Sequence, residues 1–220
     1  FNDACSAACV EHPKRFVGMA ILPMQDTELA LGELERAARL PGMRGLYLGN
    51  QVNQNNLDDQ SFFPVYAKCE AIGWPIFLHP IDPLGAERLD KYYLRNLIGY
   101  PYSTAIAAAS LIFGGVMDSF PKLDVVLPHA GGMFPPLIGR WDHGTEVREE
   151  MKHMKQLPSA YLRRFYYDTI AHNDELMMNV VRQVGVDRIV MGSDYCFQIG
   201  DEHPVATVNR LGKSISVAER

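Results

Sequence analysis

Short runs of apolar residues recur along the chain at 16–22, 45–48, 75–79, 123–128, 165–168 and 188–191. Each is apolar on both faces rather than alternating, which predicts strands of a parallel sheet covered on both sides. Helical patterns fall between them. Residues 27–40 place Leu29, Leu31, Leu34, Ala37 and Ala38 behind acidic residues, as a helix N-terminus prefers. Further helices are predicted at 64–72, at 103–117 with Pro121 beyond it, and at 174–184, closed by Gly185. The stretch before the first strand is also helix-like. Strand alternating with helix implies β-α-β crossovers and a parallel sheet. No linker, repeat or charge block divides residues 1–220, so a single domain is expected.

Two parallel architectures compete, an open doubly wound sheet and a closed (β/α)8 barrel. The open sheet would be favoured by a glycine-rich phosphate loop, and neither G-x-G-x-x-G nor G-x-x-x-x-G-K-[ST] occurs. The barrel is favoured by the polar residues. His79, His129, Asp168 and Asp194 each sit at or just past the C-terminal end of a different predicted strand. Barrel enzymes assemble their chemistry from several strand ends on that one rim, whereas an open sheet gathers a ligand at one switch point. The expected fold is therefore a TIM barrel. Six strands leave it two short of eight, and the expectation is that the first two β/α units precede Phe1.

Three strand ends carry candidate chemistry. In PIFLHP an apolar strand delivers His79, and Pro80 turns the chain out; imidazole is the commonest ligand for zinc-like metals. In LPHAGG a strand ends in His129, and two glycines let backbone approach whatever occupies the site. In IVMGSDY the strand ends at Asp194, whose carboxylate suits a metal or a base. Each also has a bland alternative: a capping imidazole, an incidental turn, a helix N-cap. Together, two imidazoles and a carboxylate on one rim have the composition of a divalent-metal hydrolytic or lyase centre. Of the other histidines, His12 should lie on the opposite rim, and His143 and His153 in a charged, solvated region. His203 belongs to a late loop, and only His172 follows a site-bearing strand end. Asp168 could support the site or belong to a turn. Arg140, eleven residues after His129, is either a surface residue or a guanidinium that grips a substrate carboxylate, in a neighbouring subunit if at all.

Composition narrows the class. The chain is 47% hydrophobic and 21% charged with net charge −5, ordinary for a globular domain and contrary to a nucleic-acid binder. No apolar stretch reaches the roughly 18 residues of a membrane span. Asp3 and Glu11 stand where a signal peptide would be basic, so a cytoplasmic address is expected. Four cysteines do not make a disulfide framework, and Cys5 and Cys9, sharing a helix face, are expected to pack as small apolar groups.

The strings at 12–30, 63–80, 114–144, 165–169 and 187–197, above all HAGG-x-F-P-x-x-x-GR, resemble the amidohydrolase-related metal-dependent decarboxylases. The resemblance spans roughly residues 12–200 and implies a (β/α)8 barrel holding zinc or another divalent metal. By position it makes His79 and Asp194 metal ligands and His129 the acid/base beside the metal. Asp194 shares in the catalysis. Arg140 would reach into a partner of a homodimer to hold the substrate carboxylate. Tyr93, fourteen residues after His79, falls where relatives carry a pocket tryptophan, and Cys196 where they often carry proline. The family's His-x-His pair, on its first strand, has no counterpart in this sequence.

The expected activity is thus zinc-dependent, non-oxidative decarboxylation of a small unsaturated or aromatic carboxylate, with no organic cofactor. A hydrolase or hydratase acting on a small cyclic or unsaturated carboxylate would use the same residues. A non-enzymatic interaction role is the third alternative.

Overall fold

The computed structural model describes residues 1–215. Helix α1 (Asn2–Glu11) leads into strand β1 (Gly18–Ala20), followed by α2 (Thr27–Ala37), β2 (Met43–Gly49), α3 (Phe63–Ile72) and β3 (Ile76–His79). Helices α4 (Tyr100–Phe113) and α5 (Val116–Ser119) precede β4 (Val125–Leu127), and α6 (Phe134–Val147) precedes β5 (Phe165–Asp168). Helix α7 (Asp174–Val184), β6 (Ile189–Val190) and α8 (Pro204–Ser214) complete the described chain.

All six predicted strands form, and they pair in parallel in chain order from β1 to β6. The outer strands β1 and β6 each have one neighbour, so the sheet is open among the described residues. Period-two alternation sorts its faces. Leu46, Ile76, Val125, Leu127, Phe165 and Tyr167 are buried in a core shared with Leu34, Val65, Ala107, Ala108, Met177 and Val181 from the helices. The opposite row, Tyr47, Phe77, Val126 and Tyr166, is aligned strand to strand. One register step further on, toward the strand C-termini, that row continues into His79 and Asp168.

Local signals explain several helix ends. Asp26 caps α2 by accepting from the Leu29 N–H at 3.0 Å, and Asn173 caps α7 through Leu176 at 2.9 Å. Gly73 closes α3 in the left-handed region with φ 67°. The helix expected at 103–117 is corrected at both ends. It starts earlier, at Tyr100, and stops at Phe113. Gly115 then turns left-handed, with φ 74°, and a separate four-residue helix follows. The apolar pattern runs through this break because both pieces bury apolar residues, Leu111 and Ile112 before it and Val116 and Met117 after it.

Asn2 ties α1 to the sheet: its amide donates to Ile21 O and accepts from Ile21 N, both at 2.9 Å, and also donates to Glu33 at 2.6 Å. Hydrogen bonds from Arg36 and then Asn2 hold the Glu33 carboxyl at about 2. The unfolded value is roughly 4.3. The stabilisation is therefore complete above that pH and is lost as pH falls toward about 2. Thermal stability should fall less steeply over that window in Glu33→Gln than in the wild type; parallel curves would dismiss the clamp.

Candidate metal centre

Three strand ends converge. His79 closes β3, with its side chain 17% exposed, and its Nε2 lies 3.3 Å from Asp194 Oδ1. His129 follows β4 after Pro128, and its Nε2 lies 3.6 Å from the other oxygen of the same carboxylate. Asp194, 8% exposed, follows β6 in a loop closed by Asp201 N–H donating to Ser193 O at 2.7 Å. One donor atom from each of these residues lies within 4.8 Å of the others. No other group of three such side chains meets that condition among the described residues.

Backbone strain marks the same places. His129 and Asp194 are non-glycine residues at positive φ, 57° and 51°. Ala130, Gly131 and Gly132 continue the left-handed run at 53°, 81° and 57°. The glycines are required there. A Cβ on Gly131 would stand 2.7 Å from the Tyr167 ring, and one on Gly132 would strike the Pro101 carbonyl.

The surroundings are aromatic and partly dry. The His79 ring is stacked between Tyr47 (centroids 5.8 Å apart, planes at 20°) and Phe197 (5.5 Å, 13°). Burial, then the nearby Asp194 charge, pushes the Tyr47 phenol up, so it stays protonated and can donate. For Asp194, burial raises the carboxyl, but His129 and then His79 outweigh it and leave a net lowering. Asp168 goes the other way: burial dominates the backbone N–H bonds it accepts from Ala130 and Ile170.

A cavity of about 230 Å³ beside His79 and Asp194 is lined by these two with Tyr47, Phe77, Asp168 and Phe197, among others. Beside His129 a larger, mostly apolar space of about 550 Å³ is bounded by Asn96, Leu97, Pro101, Ile170, His172 and Leu176.

The donor set passes a direct test for a cation. The Nε2 atoms of His79 and His129 crowd the two oxygens of one carboxylate instead of pairing off separately. Imidazole nitrogen and carboxylate oxygen at this spacing suit a first-row divalent ion.

The profile of the amidohydrolase family matches residues 1–213. The chain belongs to the amidohydrolase family. It is 38% identical over 205 residues to 2-amino-3-carboxymuconate-6-semialdehyde decarboxylase of Dictyostelium discoideum, covering 92% of this chain and 57% of that protein. It is 29% identical over 212 residues to gamma-resorcylate decarboxylase of Polaromonas, covering 90% and 65%. A solved dihydroxybenzoic acid decarboxylase from Polaromonas, with bound manganese and 2-nitroresorcinol, superposes with a TM-score of 0.86 at 27% identity, covering 99% of this chain and 69% of that one. This amidohydrolase chain thus spans less than two thirds of the curated relatives it matches, and its six β/α units are shared with amidohydrolase-type barrel decarboxylases.

The remaining candidates are placed as follows. Arg140 sits on α6, exposed, with no hydrogen bond or ion pair among the described residues. Seven residues into that helix, it is about 9 Å along the axis from Phe134. Tyr93 is exposed, with φ 61°, and neither cavity beside His129 or His79 includes it. Cys196 is exposed. His172 borders the space beside His129. His12 ends α1 before β1, and His143 is exposed beside Glu146. His153, though exposed, places its ring nitrogens 2.9 and 2.8 Å from the Glu150 and Phe113 carbonyls. Cys9 is buried next to Cys5, as small apolar packing requires. Sequence reasoning passed over Tyr47 and Phe197. Register could have found Tyr47, because it lies on the inward row two residues before Gly49, which pairs with His79.

Proposed function

We propose that this chain carries part of a divalent-metal centre that removes CO2, without oxidation, from a small aromatic or unsaturated carboxylate. The observation that carries the proposal is the convergence of His79, His129 and Asp194 within 4.8 Å at three strand ends. The decarboxylases similar to this chain supply the reaction class. His79 and Asp194 would hold the ion, and zinc is the ion proposed. When bound, such an ion supplies positive charge to substrate oxygens and to the electron density that departing CO2 leaves behind.

The chain's own groups account for the proton. The C–CO2 bond breaks with its electron pair left on the substrate carbon, and a proton from the His129 imidazole forms the new C–H bond. Water then returns the proton to His129. Asp194, 3.6 Å from His129 Nε2, stabilises the ring while it carries that proton. Tyr47 and Phe197 fix the plane of His79. Leu97, Pro101 and Ile170 give an apolar wall that suits a flat substrate body. Arg140, exposed and unpaired, is proposed to hold a substrate carboxylate in the partner subunit of a homodimer, and the setting is proposed to be cytoplasmic.

CO2 release measured against acid release in a pH-stat, over a panel of hydroxybenzoates and unsaturated carboxylates, tests the class. CO2 without net hydrolysis is expected. Acid release alone would replace the proposal with a hydrolase or hydratase. The dimer has its own check. Mixing inactive Arg140→Ala and His129→Ala subunits should restore part of the activity, because one site of each mixed dimer is intact; no recovery would remove Arg140 from the partner's site.

A further inference from the structure

The left-handed run that presents His129 is held from the neighbouring strand. Asp168 closes β5, which pairs with β4 at Val125, Val126 and Leu127. One of its carboxylate oxygens, Oδ1, accepts the Ala130 N–H at 2.8 Å and the Ile170 N–H at 3.0 Å. Ala130 is 1% exposed and stands at φ 53°, so its N–H has no water to turn to. The later amides of the run are satisfied by backbone: Gly131 N–H donates to Pro128 O, Gly132 N–H to His129 O and Met133 N–H to Pro101 O. The Ala130 amide depends instead on a side chain 38 residues away in sequence, and the backbone N–H of His129 faces the same carboxylate. Gly192 leaves room for it, since a Cβ there would stand 2.9 Å from Asp168 Cβ.

We propose that Asp168 is the positioning residue for His129: a single carboxylate oxygen, shared between the Ala130 and Ile170 amides, locks the left-handed turn that aims the imidazole at Asp194. The requirement is for an acceptor at that point, not for a negative charge. An asparagine carbonyl can take the same two N–H groups, whereas a glutamate keeps the charge but moves the oxygen by a methylene. The inference rests on the decarboxylase proposal for its turnover readout alone.

The test compares D168N and D168E in the protein that carries this chain, with L34A as a buried control remote from the site. D168N should keep kcat within about fivefold, while D168E should lose about a hundredfold with little change in KM, the penalty typical of a misplaced catalytic group. L34A should lower Tm without that kcat loss. Independently of turnover, crystal structures of the variants should show the His129 ring in place in D168N and displaced in D168E. Their zinc affinities, read by competition with a chromogenic chelator, should stay close to wild type in D168N. D168E with wild-type kcat, or D168N as impaired as D168E, would overturn the proposal. Failure of both variants to fold would overturn it too, because a residue whose isosteric amide is not tolerated holds the fold, not one imidazole. If the wild type releases no CO2, the decarboxylase proposal fails, and the ring positions still decide this one.

Discussion

Replacing His129 with alanine in the protein that carries this chain is expected to lower kcat by about 10²–10⁴-fold, the usual worth of a positioned acid or base. The fold should survive, since the side chain is 14% exposed and its Nδ1 has no partner to lose. Zinc should remain bound, because the shorter contact, His79 Nε2 to Asp194 at 3.3 Å, is untouched. KM should change little if, as proposed, Arg140 and the apolar wall rather than the proton donor hold the substrate. The pattern of the kinetic constants then decides the role. Loss of kcat with zinc retained identifies the proton donor. Equal loss of zinc and activity would make His129 a ligand instead. Near wild-type turnover would remove it from the chemistry altogether. Alanine at His172, which borders the apolar space but is not among the three clustered donors, should cost far less.

The contrast between His129 and its supports shows which parts of this molecule were legible in sequence. All six strands were, because each is a short run apolar on both faces, and three of them end in a residue that has no business in a core: His79, His129 and Asp194. The breaks that follow, Pro80, Gly131–Gly132 and Gly192 just before Asp194, mark the rim as clearly as the residues themselves. The helix break at Gly115 was not legible, since Val116 and Met117 after it are as buried as Leu111 and Ile112 before it. Tyr47 and Phe197 escaped notice because an aromatic residue on or near a strand reads as core; only the register of β2 on β3 puts Tyr47 against the His79 ring. Asp168 was visible as a strand-end carboxylate, but its partner, the Ala130 amide, is a backbone group and carries no sequence signal. The placement of α8 was equally silent, because Pro204–Ser214 buries only Leu211 among its described residues.

Removing the ion should be the other large effect. Dialysis of the protein that carries this chain against a chelator is expected to abolish turnover, and zinc should restore it. Manganese, named with the Polaromonas structure, is the necessary comparison. The physical argument is the carboxylate. Asp194 is nearly buried between two imidazoles, and burial alone would push its carboxyl up. A cation in that space supplies the charge the two rings share out only weakly when neutral, so binding should stabilise the folded state. At an ion concentration about 100 times Kd the gain is about 2.7 kcal/mol. For a chain of this length that corresponds to roughly 5 to 11 °C in Tm. Asp194→Ala should erase both the thermal shift and the activity. Asp194→Asn should erase most of each, since a neutral amide oxygen is a poor substitute for a carboxylate facing a divalent ion. His79→Ala should behave like the alanine variant. A Tm that ignores both zinc and manganese in the wild type, or a thermal shift that survives in Asp194→Ala, would leave the three side chains as a hydrogen-bonded cluster and the decarboxylase proposal without its centre.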